Sequence, residues 1–113
     1  MEGKELAIFA AKMAEEKKAE DIMVLNLTGI SMVTDYFVLA SGNSLIQVKA
    51  IAEWIEEKLA EHGCKTLQER RIKESGWILL DYGDIVVHVM RHEERDFYQL
   101  EQLWGDGEVI YSA

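Results

Sequence analysis

The stretch YFVLASGNSLIQVKAIAEWIEEKLA, residues 36–60, holds a strand pattern followed directly by a helix pattern, and it decides the fold class. Residues 36–40 are an apolar run of strand length, and the small polar residues at 41–44 end that run. Ser44 is a good helix N-cap, and Gln47, three residues later, completes the pattern of a capping box. The stretch therefore predicts a strand, a short turn and a helix that begins after Ser44.

The helix predicted after this turn has one apolar face. Its apolar positions recur at helical spacing and are Val48, Ile51, Ala52, Ile55 and Leu59. Gly63 is a natural residue to follow the helix, because glycine adopts the left-handed conformation that commonly ends helices. Trp54 lies well off the apolar face, so we expect it at the edge of the buried surface or outside it.

Patterns on both sides of this stretch predict the remaining elements. They are helices over residues 5–18 and 94–104 and strands over residues 22–27, 36–40, 64–72, 77–81 and 85–90, with a weak apolar run at 109–111. Gly83 marks a hairpin turn between the last two strands, and the valine-rich strand at 85–90 is expected in the centre of the sheet. The polar segment 64–72 is typical of an edge strand. The sequence predicts an α/β (α+β) fold, in which a mixed sheet of about five strands packs with about three helices.

The chain has 113 residues, which predicts a single domain over residues 1–113, and its formal net charge is −9. Such a charge excludes the phosphate backbone of nucleic acid as the default partner, because that affinity comes largely from Lys and Arg. It disfavours an anionic membrane surface for the same reason. Cys64 is the only cysteine, so an intrachain disulfide is impossible. With no signal-peptide or membrane-spanning pattern, we expect a cytoplasmic protein.

The turn at residues 42–44 could bind a phosphate, because it joins a strand to a helix N-terminus. The sequence has no P-loop lysine there and no G-x-G-x-x-G pattern, so we favour a simple helix cap. Nucleotidyltransferases place two close carboxylates on the strand that follows such a turn. Here the next acidic residues fall on the helix, and Asp81 and Asp84 flank a distant turn. A nucleotide-binding enzyme stays the alternative, but an intact catalytic site is not supported.

His88 and His92 are four residues apart, but His88 falls in the predicted strand at 85–90, so the histidines form no pair on a helix, and Cys64 has no partner thiol. His88 shares a strand face with apolar neighbours, because side chains alternate along a strand. A histidine in that setting is more often a hydrogen-bonded packing residue than a metal ligand. We therefore predict neither a metal site nor a cofactor.

Residues 81–113 carry eight acidic side chains against two arginines, so most of the net negative charge lies in the last third of the chain. The same third holds several aromatic residues, and aromatic rings beside charges are typical anchors of protein interfaces. An acidic surface of this kind suits a basic partner. Phe97 and Trp104 share the apolar stripe of the last helix and are predicted to be core residues. Tyr98 points away from that stripe and Trp77 opens a strand, so both are better candidates for an interface.

Several of these runs together resemble the ribosomal silencing factor family, which is also called Iojap or RsfS. The matching runs are DYFVLASGNS (35–44), QV (47–48), AIA (50–52), GWILLDYGD (76–84), VHV (87–89), and Arg95 with FYQLEQLW (97–104). The resemblance covers residues 6–105. It implies a fold akin to that of nucleotidyltransferases without their catalytic carboxylates, and therefore a protein that is not an enzyme and needs no cofactor.

The resemblance also implies binding to the large ribosomal subunit through one protein on its intersubunit face, the fourteenth in the usual numbering. Bound there, the protein would block joining of the small subunit and repress translation, and it could also aid maturation of the large subunit. We expect the contact to involve a basic protein and little nucleic acid. The residues expected to contribute to this contact are Trp77, Asp81, Tyr82, His88, Tyr98, Leu100 and Glu101. Trp77 and Tyr98 would supply apolar anchors, and the acidic residues would pair with Arg or Lys.

A homodimer is a third possibility, and it does not exclude ribosome binding. The predicted edge strand at 64–72 or the off-stripe Trp54 could support such a contact. The sequence thus leaves three hypotheses from different classes: a ribosome-binding factor, a nucleotide-binding enzyme that uses the turn at 42–44, and a homodimeric scaffold.

Overall fold

A mixed sheet of six strands organises the part of the chain that the structure, a computed structural model, describes: residues 2–71 and 76–113. In chain order the elements are α1 (Gly3–Glu16), β1 (Glu20–Asn26), β2 (Tyr36–Gly42), α2 (Leu45–Glu61), β3 (Gln68–Arg71), β4 (Trp77–Asp81), β5 (Ile85–Arg91), α3 (His92–Tyr98), α4 (Leu100–Leu103) and β6 (Glu108–Ser112). The strands lie in the order β3-β4-β5-β2-β1-β6. β2 and β5 are parallel, and the other neighbouring strands are antiparallel. The predicted mixed sheet and the central position of β5 are confirmed.

The sheet differs from the prediction at its two edges. The described residues form six strands where the sequence predicted about five, because the weak apolar run at 109–111 is part of β6, which pairs with β1. The predicted edge strand at 64–72 is shorter, since β3 begins at Gln68, and Ile72 lies outside the described residues. Short, polar edge strands have little buried surface, so they leave weak patterns in the sequence.

Helices α1 and α2 cover one face of the sheet, named here the first face. The strand residues that form the core with these helices are Ile22, Val24, Val38, Ala40, Ile78, Leu80, Ile85, Val87 and Val89. The stripe residues of α2, from Val48 to Leu59, are buried there, as predicted. α1 contributes mainly alanines, whose small side chains let the helix lie close to the sheet. Strand alternation sends every second side chain to this face.

The opposite face of the sheet, the second face, carries the other half of the strand side chains. A smaller buried cluster lies there and consists of Leu25, Leu27, Leu39, Met90 and Leu100. Met23, Phe37, Trp77 and Trp104 pack against this cluster and stay partly exposed. Helix α3 contacts β5 and β2 on this side, and α4 contributes Leu100. This cover is shorter than that of α1 and α2, so the second face stays open over β4 and β5.

The turn before α2 forms the predicted helix cap. Ser44 Oγ accepts a hydrogen bond from the backbone N–H of Gln47 at 3.1 Å. The Gln47 side chain closes the turn from the other side, because its Oε1 accepts from the backbone N–H of Asn43 at 2.6 Å. A standard capping box would direct that second bond to the N–H of Ser44, so this box is shifted by one residue. Gly63 follows the helix with a φ of 81°, as predicted.

The predicted helix over residues 94–104 is wrong as a single element. The chain forms α3 and α4 instead, and Gln99 between them has a left-handed conformation with φ 47° and ψ 52°. Phe97 points outward beside the break and is 79% exposed, so its predicted place in the core is also wrong. Trp104 does pack against the second-face cluster. No glycine or proline marks position 99, so the composition carries no local signal for the break.

Trp54 is half-buried at the edge of α2, as its position off the apolar stripe predicted. Its Nε1 donates a hydrogen bond to Glu16 Oε1 at 3.1 Å. The ammonium groups of Lys17 and Lys58 lie 4.5 Å and 4.4 Å from the centre of the indole, where the electron-rich ring face attracts cations. These contacts hold the indole between α1 and α2.

Candidate partner-binding face

Six ring side chains of the described residues lie in contact, one after another, across the second face. In order they are Phe97, Tyr98, Trp77, His88, Phe37 and Trp104, and together they are named the aromatic row. The centroids of successive rings are 5.0, 4.8, 5.7, 4.6 and 5.7 Å apart. Aromatic rings at such distances attract one another beyond the effect of their burial. The row is therefore continuous, and it runs from α3 over β4, β5 and β2 to the end of α4.

Strand alternation and register bring the middle of the row together. Trp77 in β4 points to the second face because its neighbour Ile78 points to the first. The same alternation in β5 places His88 on the second face. The register pairs His88 with Leu79 on β4, and Phe37 lies two residues from the β2 residue that His88 faces. Residues from three separate parts of the sequence therefore meet on one surface.

A hydrogen bond fixes the two central rings of the row. Trp77 Nε1 donates to Nδ1 of His88 over 3.2 Å. The indole N–H can only donate, so Nδ1 is the acceptor and the neutral imidazole carries its hydrogen on Nε2. Burial of His88, which is 4% exposed, and the positive charge of Arg95 lower its pKa to about 3. His88 is therefore neutral near pH 7, in agreement with the packing role predicted for it.

An open cavity of about 240 Å³ lies beside His88 on the second face. Its lining residues are Val33, Phe37, Gln68, Leu79, Asp81, Val86 and His88. Most of this lining is apolar, and Asp81 supplies a carboxylate. Val33 belongs to the loop before β2 and is 83% exposed, so the rim of the cavity is apolar as well.

The structure brings four of the seven predicted contact residues together on this face. Trp77, His88 and Tyr98 are members of the aromatic row, and Asp81 lines the cavity. Tyr98 is the most accessible of the four, with 43% of its surface exposed. The carboxylate of Asp81 is held at the hairpin turn, because its Oδ1 accepts from the backbone N–H of Gly83 at 2.8 Å.

Leu100 and Glu101 lie in α4, next to the second-face cluster. Leu100 is part of that cluster. Glu101 Oε2 accepts a hydrogen bond from Arg95 Nε at 2.6 Å, and Arg95 Nη1 donates to Ser41 Oγ at 2.8 Å. Arg95 is 6% exposed, so this ion pair is shielded from water on the arginine side. The pair ties α3 and α4 to β2 and thereby fixes the position of Tyr98.

Tyr82 lies apart from the other predicted contact residues. Its ring is partly buried against the first-face core, on the side of α1 and α2. Burial and the negative charge of Glu56 raise the pKa of the Tyr82 hydroxyl, which therefore stays protonated. Tyr82 supports the hairpin turn from the side of the helices.

Exposed apolar residues that the sequence patterns did not indicate lie in the segments that border the aromatic row and the cavity. They are Met32, Val33, Leu67 and Leu103, to which Phe97 is added by the break at Gln99. A signal for Met32 and Val33 was present, because apolar residues in a loop without a strand pattern have no core to enter. Grouped apolar residues on a surface commonly mark an interaction site.

Ion pairs neutralise part of the acidic C-terminal third. Arg91 Nε and Nη2 donate to the two carboxylate oxygens of Glu94 at 2.8 Å and 2.7 Å. The hydrogen bonds from Arg91 lower the pKa of Glu94. Negative charge also lies on other residues of this third, such as Asp81 at the cavity and the exposed Asp96 in α3.

The N-terminus of α2, where the nucleotide-binding alternative would place a phosphate, is filled by the protein's own side chains. Ser44 and Gln47 bind backbone N–H groups of the turn. Gln47 Nε2 also donates to the backbone oxygen of Lys18 at 3.2 Å, which ties the turn to the end of α1. These contacts favour the helix cap over a phosphate site.

Residues 2–71 and 76–113 show neither a metal-binding cluster nor a membrane-spanning helix. No three His, Cys, Asp or Glu side chains of these ranges are grouped closely enough to hold a metal ion. None of the helices in the same ranges is both long enough and apolar enough to cross a membrane.

Named proteins from several organisms are similar in sequence to nearly the whole chain. The model of the family described as "Ribosomal silencing factor during starvation" matches residues 1–112. The ribosomal silencing factor RsfS of Bacillus subtilis is 44% identical over 106 residues, which cover 94% of this chain and 90% of that protein. The RsfS of Chromobacterium violaceum is 36% identical, over 93% of this chain and 86% of that protein. The chloroplast protein Iojap of Arabidopsis thaliana is 35% identical, over 92% of this chain and 43% of that protein.

Solved structures share the fold. A crystal structure of a protein from Chromobacterium violaceum matches with a TM-score of 0.87 at 38% identity, and the match covers 100% of this chain and 93% of that chain. A crystal structure from Bacillus halodurans matches with a TM-score of 0.78 at 39% identity, over 89% of this chain and 94% of that chain. Sequence and fold therefore agree along almost the entire length, and the chain belongs to the ribosomal silencing factor family.

Proposed function

We propose that this protein silences translation by binding the large ribosomal subunit and preventing the small subunit from joining it. Membership of the ribosomal silencing factor family supports the coarser part of this proposal, a ribosome-associated role in silencing translation. The finer part names the partner, the fourteenth ribosomal protein on the intersubunit face of the large subunit. The observation that carries the proposal is the aromatic row, whose outer rings are accessible on the second face.

The outer end of the aromatic row has the properties of an interface anchor. Tyr98 lies 4.8 Å from Trp77 and 5.0 Å from Phe97, measured between ring centroids. Tyr98 and Phe97 are exposed, while Trp77 is half-buried beneath them. Rings that already support one another lose little conformational freedom on binding, which favours affinity. Large aromatic side chains are also the residues that most often dominate interface energies.

The negative charge of the chain favours a basic partner. The chain carries a net charge of −9, Asp81 lines the cavity beside His88, and Asp96 is exposed in α3. An RNA backbone would be repelled by this surface, whereas a basic ribosomal protein would be attracted and would associate faster. We therefore expect contact with ribosomal protein and little direct contact with RNA.

The other predicted contact residues would serve this surface in different ways. Asp81 would pair with a lysine or arginine of the partner. Leu100 and Glu101 would hold α3 and α4 in place, because they bind the second-face cluster and Arg95. His88 would support Trp77 from below, and Tyr82 would support the hairpin from the first face.

The proposed mechanism is steric and needs no chemical step. A protein bound on the intersubunit face excludes the small subunit, so the silenced fraction of large subunits equals the fraction that is occupied. We also propose a cytoplasmic location and a contribution to large-subunit maturation. A mouse relative, named "Mitochondrial assembly of ribosomal large subunit protein 1", supports the latter and is 30% identical over 95 residues.

Co-sedimentation with purified large ribosomal subunits tests the proposal. We expect the wild-type chain to sediment with the subunits and to lower the yield of complete ribosomes when small subunits are added. The double change Trp77→Ala and Tyr98→Ala should abolish both effects, because each lost anchor costs on the order of 2 kcal/mol of binding free energy. Ile46→Ala is the matched control, since Ile46 is 83% exposed at the start of α2, away from the second face.

Two results would count against the proposal. If the folded wild-type chain does not associate with the large subunit, the function itself is wrong. If the double variant is folded and still binds like the Ile46→Ala control, the function stands and the assigned face is wrong. Sedimentation of the free chain tests the separate homodimer hypothesis.

A further inference from the structure

The loop between β1 and β2, residues 27–35, presents two neighbouring apolar side chains to solvent. Met32 is fully exposed and Val33 is 83% exposed, and together they are named the apolar pair. Val33 also lines the cavity on the second face, so the β1–β2 loop borders the open part of that face. Apolar side chains grouped on a surface commonly mark a place where another molecule binds.

Hydrogen bonds within the β1–β2 loop hold the apolar pair outward. The backbone N–H of Leu27 donates to the carbonyl oxygen of Asp35 at 2.7 Å and closes the base of the loop. Ser31 Oγ accepts from the backbone N–H groups of Val33 and Thr34 at 3.1 Å and 3.4 Å. Leu27 and Thr34 are buried, so the loop is held at both ends. A loop that is already ordered loses little conformational entropy on binding, which favours affinity.

The β1–β2 loop and α3 lie at opposite ends of the second face. β2 and β5 are parallel; the loop precedes β2, and α3 follows β5. The seven residues of β2 separate the two ends by about 20 Å. A protein interface of ordinary size covers roughly 800 Å² on each partner, which is a patch about 30 Å across. A partner that sits on the aromatic row therefore extends as far as the apolar pair.

Acidic side chains at the base of the β1–β2 loop indicate the kind of partner. The backbone N–H of Asp35 donates to the carbonyl oxygen of Asp84 at 3.1 Å, so these two exposed aspartates lie close together. Asp81 lines the cavity that Val33 borders. Residues 19–48 contain no lysine or arginine, so no basic side chain of this segment offsets the charge. An apolar pair above an acidic base fits a protein surface with an apolar hollow bordered by Lys or Arg.

We propose that the β1–β2 loop is a second contact element, which inserts Met32 and Val33 into an apolar hollow of the basic ribosomal protein that covers the aromatic row. The inference rests on the proposed function, because it concerns the same partner. Contacts at both ends of β2 would fix the orientation of that partner as well as its affinity. An RNA backbone does not fit this element, since it offers no apolar hollow and is repelled by the aspartates.

Two substitutions of Met32 test whether the contact is apolar. Glutamine has nearly the length of methionine but is polar, whereas leucine stays apolar. In equilibrium binding to purified large ribosomal subunits, we expect Met32→Gln to bind about tenfold more weakly than wild type and Met32→Leu to stay within about threefold. Ile46→Gln is the matched control and should bind like wild type, since Ile46 is as exposed as Val33 but lies on α2. Equal affinities of the two Met32 variants, whether high or low, overturn the proposal.

Oxidation by hydrogen peroxide tests the same contact in the unaltered chain. The sulfur of an exposed methionine takes one oxygen atom from the peroxide and forms the sulfoxide, and the rest of the peroxide leaves as water. Mass spectrometry gives the oxidation rates of Met32 and of Met13, which is partly buried in α1 against the first-face core. We expect saturation with large subunits to slow the oxidation of Met32 about tenfold and to leave that of Met13 unchanged. An unchanged rate for Met32 overturns the proposal.

Tyr98→Ala separates the failure of this inference from the failure of the proposed function. Tyr98 lies in α3, at the other end of the second face from the loop. If Tyr98→Ala weakens binding while Met32→Gln binds like wild type, the proposed surface stands and the loop proposal is wrong. If only Met32→Gln weakens binding, the loop proposal stands and the contact assigned to Tyr98 is wrong. If the wild-type chain does not bind the large subunit, the proposed function is wrong and the loop proposal is overturned with it.

Discussion

The indole of Trp77 donates its hydrogen bond to Nδ1 of His88 over 3.2 Å, and this bond joins the outer rings of the aromatic row to the buried His88. Trp77 also contacts the exposed Tyr98, and His88 contacts the partly exposed Phe37. One polar contact thus orients two rings on neighbouring strands. Substitutions at Trp77 therefore change both the stability of the fold and the shape of the proposed contact surface.

Trp77→Phe should lower the free energy of unfolding by about 1–2 kcal/mol, because it leaves Nδ1 of the buried His88 without a donor. Urea unfolding followed by circular dichroism measures this change. Trp54→Phe is the matched control, because Trp54 donates to Glu16 at a place where water can replace the hydrogen bond. This change should lower the free energy of unfolding by about 0.5 kcal/mol. Equal losses for the two variants would show that the Trp77–His88 bond adds no special stability.

Acidification should destabilise the fold through His88. The pKa of His88 is about 3 in the folded state and about 6.5 in the unfolded chain, so the unfolded state binds the proton first. The free energy of unfolding therefore keeps its full value above pH 6.5. Below that pH it falls by about 1.4 kcal/mol per pH unit, until the pH approaches 3. Between pH 7.5 and pH 5.0 the loss should be about 2 kcal/mol.

Comparison with His88→Gln isolates this effect, because glutamine does not titrate. Urea unfolding of both proteins at pH 7.5, 6.0 and 5.0 gives the difference in stability at each pH. We expect the advantage of the wild type over the variant to shrink as the pH falls. A difference that is constant over this range would contradict the buried, neutral state of His88.

Arg95→Met should lower the free energy of unfolding by about 2 kcal/mol. The buried guanidinium binds Glu101 and Ser41, and its removal leaves the carboxylate of Glu101 without its counter-ion. The side chain of Glu101 is 26% exposed, which keeps the loss below that of a fully buried pair. Glu101→Gln keeps an oxygen for Arg95 but leaves the buried guanidinium without a counter-ion, so its loss should also be about 2 kcal/mol. Loss of α3 protection in amide hydrogen exchange should accompany both changes, and losses below about 0.5 kcal/mol would argue against a stabilising ion pair.

Salt should slow association with the large subunit more than it speeds dissociation. The net negative charge of the chain should attract a basic partner at long range, and ions screen that attraction over about 10 Å at 0.1 M ionic strength. Stopped-flow binding at 0.05 M and 0.3 M NaCl separates the two rate constants. Asp96→Asn should reduce the salt dependence, because Asp96 is exposed in α3. An association rate that rises with salt would be inconsistent with a basic partner.

Phe97→Ala should speed dissociation from the large subunit without lowering stability. Phe97 is 79% exposed and lies against Tyr98, so its removal takes away contact surface and leaves no internal cavity. Ile46→Ala removes an apolar side chain of similar exposure from the side of α2 and serves as control. Surface plasmon resonance with immobilised subunits gives the dissociation rates. Equal dissociation rates for the two variants would show that the contact surface does not include this part of α3.

The sequence predicted those elements whose side-chain pattern is decided by burial. The stripe of α2 and the alternation of β4 and β5 follow from packing against one core, and they lie where the spacing placed them. The cap of α2 was predictable because it depends on Ser44 and Gln47, which are local. The hairpin turn at Gly83 was predictable for the same reason, since its φ is 87°.

The features that the sequence did not predict depend on contacts between distant parts of the chain. The break at Gln99 accompanies the ion pair between Arg95 and Glu101 and the burial of Leu100, and no residue type at position 99 signals it. The aromatic row could not be predicted as a unit, because its members come from β2, β4, β5 and the C-terminal helices. The tautomer of His88 likewise follows from which nitrogen Trp77 occupies, and spacing carries no information about that choice.

Side chains of β4 alternate between the two faces of the sheet, so the register of β4 determines both the core packing and the composition of the second face. A slip of one residue would turn Ile78 and Leu80 out of the core and bury Trp77 and Asp81 against α2, so a single error would remove both the core packing and the proposed contact surface. Gly83 at the hairpin turn disfavours that slip. Its φ of 87° suits few other residues, so the turn stays at this position and sets which residues of β4 and β5 face each other. Misregistered chains would thus be unstable and would also lack the proposed contact surface, so a chain with this error would unfold rather than compete for the proposed partner.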